Sequence, residues 1–271
     1  MKELNKEELK NVQLEILKYI NTICKENNIT YYIFFGTLIG AVRHKGFIPW
    51  DDDVDICIKR EEYNRFIKVV QKDKKYNLIS FETDPNYYFP FARVSDKKTQ
   101  LVLKNIRDIN NFGVFVDVFI IDNAPNEDEF EEWYKKYQKL NKKVRMTVPT
   151  KIKKTSFRGK LSRIKHFPER IFYGVKNFSK YTNELNELIT KYNSIETEKC
   201  MVAYGTKEIF NKRDFKDTVE LNFENIKVSA PIGYDQILRQ IYGNYMELPP
   251  EDKRASHHHF TAYWKWETIT K

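Results

Sequence analysis

YYIFFGTLIGAVRHKGFIPWDDDVDICIK, residues 31–59, is the stretch whose reading decides the fold. It opens on an apolar, β-prone run, Tyr31 to Phe35, that predicts a buried strand. Gly36-Thr37 follows, then an apolar segment long enough for a single helical turn, then a basic loop, Arg43-His44-Lys45-Gly46. After Pro49-Trp50 come four aspartates within five residues, Asp51, Asp52, Asp53 and Asp55, before the chain turns apolar again at Ile56 to Ile58.

Carboxylates this dense repel one another and need a common partner. Side chains alternate along a strand, which would put Asp53 and Asp55 on one face about 7 Å apart, with Val54 and Ile56 on the other. Two such carboxylates can hold a hard divalent cation, and oxygen-only ligands favour magnesium, manganese or calcium over zinc. A solvated acidic loop would not need the apolar residues between and after the acids. An EF-hand loop fits Asp51, Asp53, Asp55 and Glu62, but its sixth position demands glycine and is Ile56 here.

A second strand-like segment, Gly113 to Ile121 (GVFVDVFII), carries one charge, Asp117, flanked by Val and Phe. A lone buried carboxylate is costly unless paired or metal-bound. Two readings stand: a structural acid satisfied by backbone or an arginine, or a third metal ligand or base beside Asp53 and Asp55. Asp122, at the end of this strand, reads as structural.

GTLIGAVRHKGFIPWDDDVDI closely resembles the signature of the LicD family, relatives of the fukutin-related transferases, and the stretch from Tyr242 to His259 (YGNYMELPPEDKRASHHH) is similar to the tail of the same family. The resemblance implies an α+β fold: a nucleotidyltransferase-like mixed β-sheet core flanked by helices, here with an added helical basic segment. It also implies metal-dependent transfer of a phospho-alcohol, best known as phosphocholine from CDP-choline, to a cell-surface glycan, teichoic acid or lipopolysaccharide precursor. On that basis Asp53, Asp55 and Asp117 would hold Mg2+ (Mn2+ in its place), and Gly36 and Thr37 would lie under a phosphate. Arg43 and Lys45 are candidate phosphate clamps and Arg93 a further one. At least one of His257 and His258 is expected to reach the cleft. A choline headgroup should meet aromatic faces, with Tyr87, Tyr88, Trp50, Trp264 and Trp266 as candidates. A nucleotidyltransferase acting on an NTP would use the same acids and is the alternative.

The rest of the chain sets bounds. Its 271 residues, 41% hydrophobic and 15% aromatic, suffice for a packed core with an appended lobe. Cys24, Cys57 and Cys200 are far apart, lack zinc-ligand spacing and suit a reducing compartment. The charged N-terminus has no signal-peptide pattern, which predicts a cytoplasmic protein, with contact at the inner membrane face left open. The net charge of +9 is concentrated: residues 142–180 hold thirteen Lys/Arg against one acid, Glu169, a net +12, so the remainder carries −3. Apolar residues recur on one helical face of that segment from Phe157 to Phe178, which fits an interfacial membrane helix, a core helix with a solvated basic face, or a site for a polyanionic acceptor. No nucleic-acid motif accompanies the charge. Three parts follow: a catalytic core over 1–125, a basic helical insertion over 126–200, and 201–271 completing the catalytic domain.

Locally, Asn5 with Glu8 predicts a capping box opening a helix to about Glu26. Helices are expected over 60–71, from Asn126, over 182–192 and over 234–242 with Gly243 as C-cap. Strands are expected over 76–81, 89–94 and 101–103, a turn at Asp84-Pro85-Asn86, and a hairpin from FNKRDF and LNFENIKVSAP.

Overall fold

The computed structural model describes residues 1–84, 87, 89–103, 112–147, 178–202, 205–254 and 260–265. Strand β1 (Lys2–Glu3) leads into helix α1 (Lys6–Glu26). The Asn5 side chain accepts from the Glu8 amide at 2.8 Å while Glu8 accepts from the Asn5 amide at 2.9 Å, the reciprocal capping box. The apolar stripe of α1, including Ile16, Leu17 and Ile20, is fully buried, at about 1.5–3 kcal/mol of transfer free energy for each such side chain.

The main sheet contains β2 (Tyr31–Ile33), β3 (Asp55–Lys59), β4 (Tyr76–Ile79), β5 (Ala92–Asp96) and β7 (Phe115–Asn123), in the order β2-β3-β7-β5-β4. Among the described strands only β3 and β7 run parallel. β8 (Lys199–Met201) extends the sheet from the end of β7, and β9 (Ile209–Asn211) pairs with β8. A smaller antiparallel sheet joins β1, β6 (Thr99–Leu103) and β12 (Phe260–Trp264). Helices α2 (Phe35–Ile39), α3 (Arg60–Val70), α4 (Glu127–Thr147), α5 (Phe178–Thr190) and α6 (Tyr234–Tyr242) flank the sheets. The fold is therefore α+β with a mixed sheet.

Core packing follows the expected faces. Tyr63, Phe66, Ile67 and Val70 of α3 are buried, as are Trp133 and Tyr137 of α4 and Leu185 and Ile189 of α5. The last two helices form their own cluster with Ala124 and Met201. Asp122 is structural: it accepts both guanidinium arms of Arg60 at 2.8 and 2.7 Å and the Asn193 amide at 2.5 Å. All three cysteines are free and buried.

Several boundaries differ from expectation. β2 stops at Ile33, because the chain turns into α2 at Phe35, where φ is +42°. Arg43-His44 is not loop but the end of a π-helical turn, Gly40–His44. β3 begins at Asp55, so Asp53 lies in the irregular lead-in rather than on the strand. β5 starts at Ala92, not Phe89, since Pro90 has no N–H to donate to a ladder. β7 runs on through Asp122 to Asn123 because β8 gives that end a partner. FNKRDF forms β9 and a 3-10 turn, Lys212–Phe215, and the hairpin belongs to β10 (Thr218–Phe223) and β11 (Ile226–Pro231) alone. The expected turn at Pro85-Asn86, the amphipathic basic helix from Phe157 onward, His257, His258, Tyr88 and Trp266 lie outside the described residues. No described helix is long and apolar enough to cross a membrane.

Candidate active site

The site is assembled at the point where β2 breaks into α2. The Phe34 amide donates to the Asp55 carbonyl at 2.9 Å, which ends the β2–β3 ladder. Phe35 then takes a left-handed backbone, a conformation that costs a non-glycine residue of order 1–3 kcal/mol unless its surroundings impose it. Its ring is held edge-on by Phe34 at 4.7 Å and Phe119 at 5.0 Å. One residue on, a Cβ at Gly36 would lie 2.5 Å from the Asp51 carboxylate, so the missing side chain makes room for that acid. Thr37 is buried, and its hydroxyl accepts the Asp55 amide at 2.8 Å. Gly36 and Thr37 thus shape the acidic loop from beneath.

The acidic loop is also clamped from outside. Gln13 of α1, itself buried, donates to the Asp52 carbonyl at 2.8 Å. Glu224, at the tip of the β10–β11 hairpin, accepts the Phe47 amide at 2.9 Å, and its own amide donates to the Lys45 carbonyl at 2.8 Å. These contacts come from residues far away in sequence and carry no local signal.

Parallel pairing of β3 with β7 sets Asp55 beside Asp117. Asp53, Asp55 and Asp117 each offer an oxygen, and these lie within 4.8 Å of one another; Asp51, Asp52 and Asp53 form a second such group that shares Asp53. Burial, then the charges of Asp53, Asp117 and Asp51, push the Asp55 carboxyl well above the usual carboxylate range, against the opposing pull of Arg93. A largely buried set of oxygen-only donors whose mutual repulsion raises the proton affinity of Asp55 fits a hard divalent cation, which would offset the repulsion.

The basic residues each have partners within the protein. Arg43 donates to the carbonyls of Tyr245 at 2.5 Å and Glu247 at 3.0 Å, and to His44 Nε2 at 2.9 Å. That makes it a tie between the signature and the 245–247 segment. The His44 imidazole is lowered in pKa by burial and then by Arg43, in keeping with its accepting role. Lys45 is exposed, left-handed (φ +62°), and donates to the Val42 carbonyl at 3.1 Å. Arg93 is buried against Asp117. Of the aromatic candidates, Tyr87 is fully buried, Trp264 lies in β12, and Trp50 is half-buried between His44 and the Arg254 guanidinium, 5.4 Å from its ring. Tyr242, which was not singled out from sequence, keeps an exposed surface. Burial, followed by the charges of Asp55, Asp51 and Asp53, raises the pKa of its phenol.

Residues 28–164 match the sequence profile described as LicD/FKTN/FKRP, nucleotidyltransferase domain. Across 97% of its length the chain is also 33% identical to a lipopolysaccharide cholinephosphotransferase, LicD, of Haemophilus influenzae, and it spans 99% of that protein. The chain belongs to the LicD family. An uncharacterised protein of Rickettsia prowazekii is 30% identical over 41% of this LicD-family chain, and one of Rickettsia typhi is 43% identical over 22% of it. Both LicD signatures read from sequence are joined in the structure, because Arg43 of the first donates to carbonyls of the second.

Proposed function

We propose that this LicD-family protein is a phosphotransferase that moves phosphocholine from CDP-choline to a hydroxyl of a cell-surface glycan or its lipopolysaccharide-type precursor. The observation that carries the reading is the meeting of Asp53, Asp55 and Asp117 within 4.8 Å, in a chain similar over nearly its whole length to a protein named for that activity.

Asp53, Asp55 and Asp117 would hold Mg2+, with Mn2+ as a substitute. The chemistry supplied by a bound cation is neutralisation of charge on the donor diphosphate, the main demand of phosphoryl transfer. The acceptor hydroxyl oxygen forms a bond to the phosphorus that bears choline, the bond from that phosphorus to the bridging oxygen breaks, and CMP leaves with the electron pair. The hydroxyl proton passes to a carboxylate of the cluster or to solvent. Thr37 and Gln13 keep the acidic loop in register with β7, and Gly36 leaves space for Asp51. Arg43 ties the 245–247 segment to the signature that carries the acids. The membrane contact considered for residues 142–180 falls mostly outside the described residues and adds nothing to this reading.

Calorimetric titration of CDP-choline into the purified protein, with Mg2+ and then with EDTA, tests it against CDP-ribitol, CDP-glycerol and CTP. Mg2+-dependent binding of CDP-choline, lost in Asp53→Ala, is the expected result. Tight CTP binding with indifference to every CDP-alcohol would replace the proposal by nucleotidyl transfer.

A further inference from the structure

Arg93 stands opposite Asp117 in the β5–β7 ladder, and its Nε donates to Asp117 Oδ1 at 2.5 Å. Both side chains are nearly sealed from solvent, at 7% and 6% exposure. The guanidinium carbon lies 4.0 Å from the centroid of Phe115, 4.1 Å from Phe89, and 5.2 Å from both Phe91 and Phe112. An arginine enclosed by four rings and bonded to a buried acid is poorly placed to swing towards a phosphate. Each ring contact favours the cation, and the planar guanidinium is the cationic group that can stack on rings while forming a directed bond in its own plane. The bonded carboxylate, in turn, presents an oxygen within 4.8 Å of those of Asp53 and Asp55.

We propose that Arg93 is a positioning residue: from within its aromatic cage it fixes the Asp117 carboxylate in the orientation that completes a cation site with Asp53 and Asp55. The proposal rests on the cation reading of that site. It takes Arg93 off the substrate and gives the ring cage a function, to keep a charged side chain buried in one rotamer. Outer residues that orient ligands in this way typically change metal affinity about 10- to 100-fold when altered.

Arg93→Lys separates charge from shape, since it keeps a cation but loses the planar group and its in-plane bond. Mn2+ alone, titrated without nucleotide and followed by electron paramagnetic resonance, reads the site directly. The expected result is Mn2+ binding about 10-fold weaker in Arg93→Lys, with a higher Mg2+ requirement but an unchanged KM for the donor at saturating Mg2+. Phe89→Leu, which alters a half-buried ring of the cage, is expected to weaken Mn2+ about 2- to 5-fold in the same direction, and it serves if Arg93→Lys does not fold. Mn2+ affinity equal to that of the parent in both variants overturns the inference. So does a rise in donor KM with Mn2+ affinity unchanged, which would return Arg93 to the phosphate. Absence of Mn2+ binding by the parent protein would overturn the cation reading itself, an outcome distinct from failure of Arg93 alone.

Discussion

Gly40→Ala sets helix propensity against packing, and the structure says which wins. Gly40 has ordinary right-handed backbone angles, φ −55° and ψ −50°, at the junction of α2 and the π-turn. On propensity alone, alanine should stabilise it by about 1 kcal/mol. A Cβ there would sit 2.4 Å from the carbonyl oxygen of Gly46 and 3.5 Å from the Ile48 amide nitrogen. The obstacle is backbone, so relief requires the 46–48 loop to move by about 0.6 Å or more merely to reach the shortest tolerated contact. That loop is fastened on its far side by Glu224 to the amide of Phe47 and by Lys6 and Lys10 to the carbonyls of Pro49 and Ile48. Overpacking of this kind costs about 1–3 kcal/mol, and more where backbone must shift. Net of propensity, we expect a loss of about 1–2 kcal/mol, or a fall in Tm of about 2–8 °C for a chain of this size. Because the same loop leads into Asp51–Asp53, Mn2+ affinity should fall as well. Differential scanning fluorimetry with a parallel Mn2+ titration checks both. A Tm equal to or above that of the parent would refute the reasoning, since propensity would then have outweighed the clash.

Two further outcomes follow from the same geometry. Thr37→Val removes the acceptor of the Asp55 amide and should cost about 1–3 kcal/mol for the stranded donor; Thr37→Ser keeps the acceptor and should leave Mn2+ affinity near that of the parent, so equal Mn2+ affinities in the two variants would show that the hydroxyl does not set Asp55. The third concerns pH. The folded-state pKa of Asp55 is raised by burial and by Asp53, Asp117 and Asp51. Its contribution is therefore complete below the ordinary carboxylate range and is lost as pH rises through the elevated value. Thermal shift measurements should find the Mg2+-induced rise in Tm larger at about pH 8 than at about pH 5.5, because the cation needs the deprotonated carboxylates; a larger effect at the acidic end would contradict this assignment of Asp55.

The sequence alone determined what depends on neighbours along the chain. The Asn5–Glu8 box, the apolar faces of α1, α3 and α6 and the Gly243 cap follow from spacings of a few residues, where residue type and periodicity report directly on local structure; the two family signatures were legible by resemblance. Density of charge made Asp53 and Asp55 stand out, and isolation in an apolar run did the same for Asp117. What the tertiary structure decided is where those groups meet and which partners are already taken. Asp117 reaches Asp55 through a parallel pairing across 62 residues, a register set by the whole sheet and not by either strand. Arg43 is held by the carbonyls of Tyr245 and Glu247, and Thr37 by the amide of Asp55. Every residue but proline carries both backbone groups, so bonds to them leave no trace in the pattern of side chains. The charge of Arg93 was visible in the sequence, whereas Phe89, Phe91, Phe112 and Phe115 converge on it only once the chain has folded.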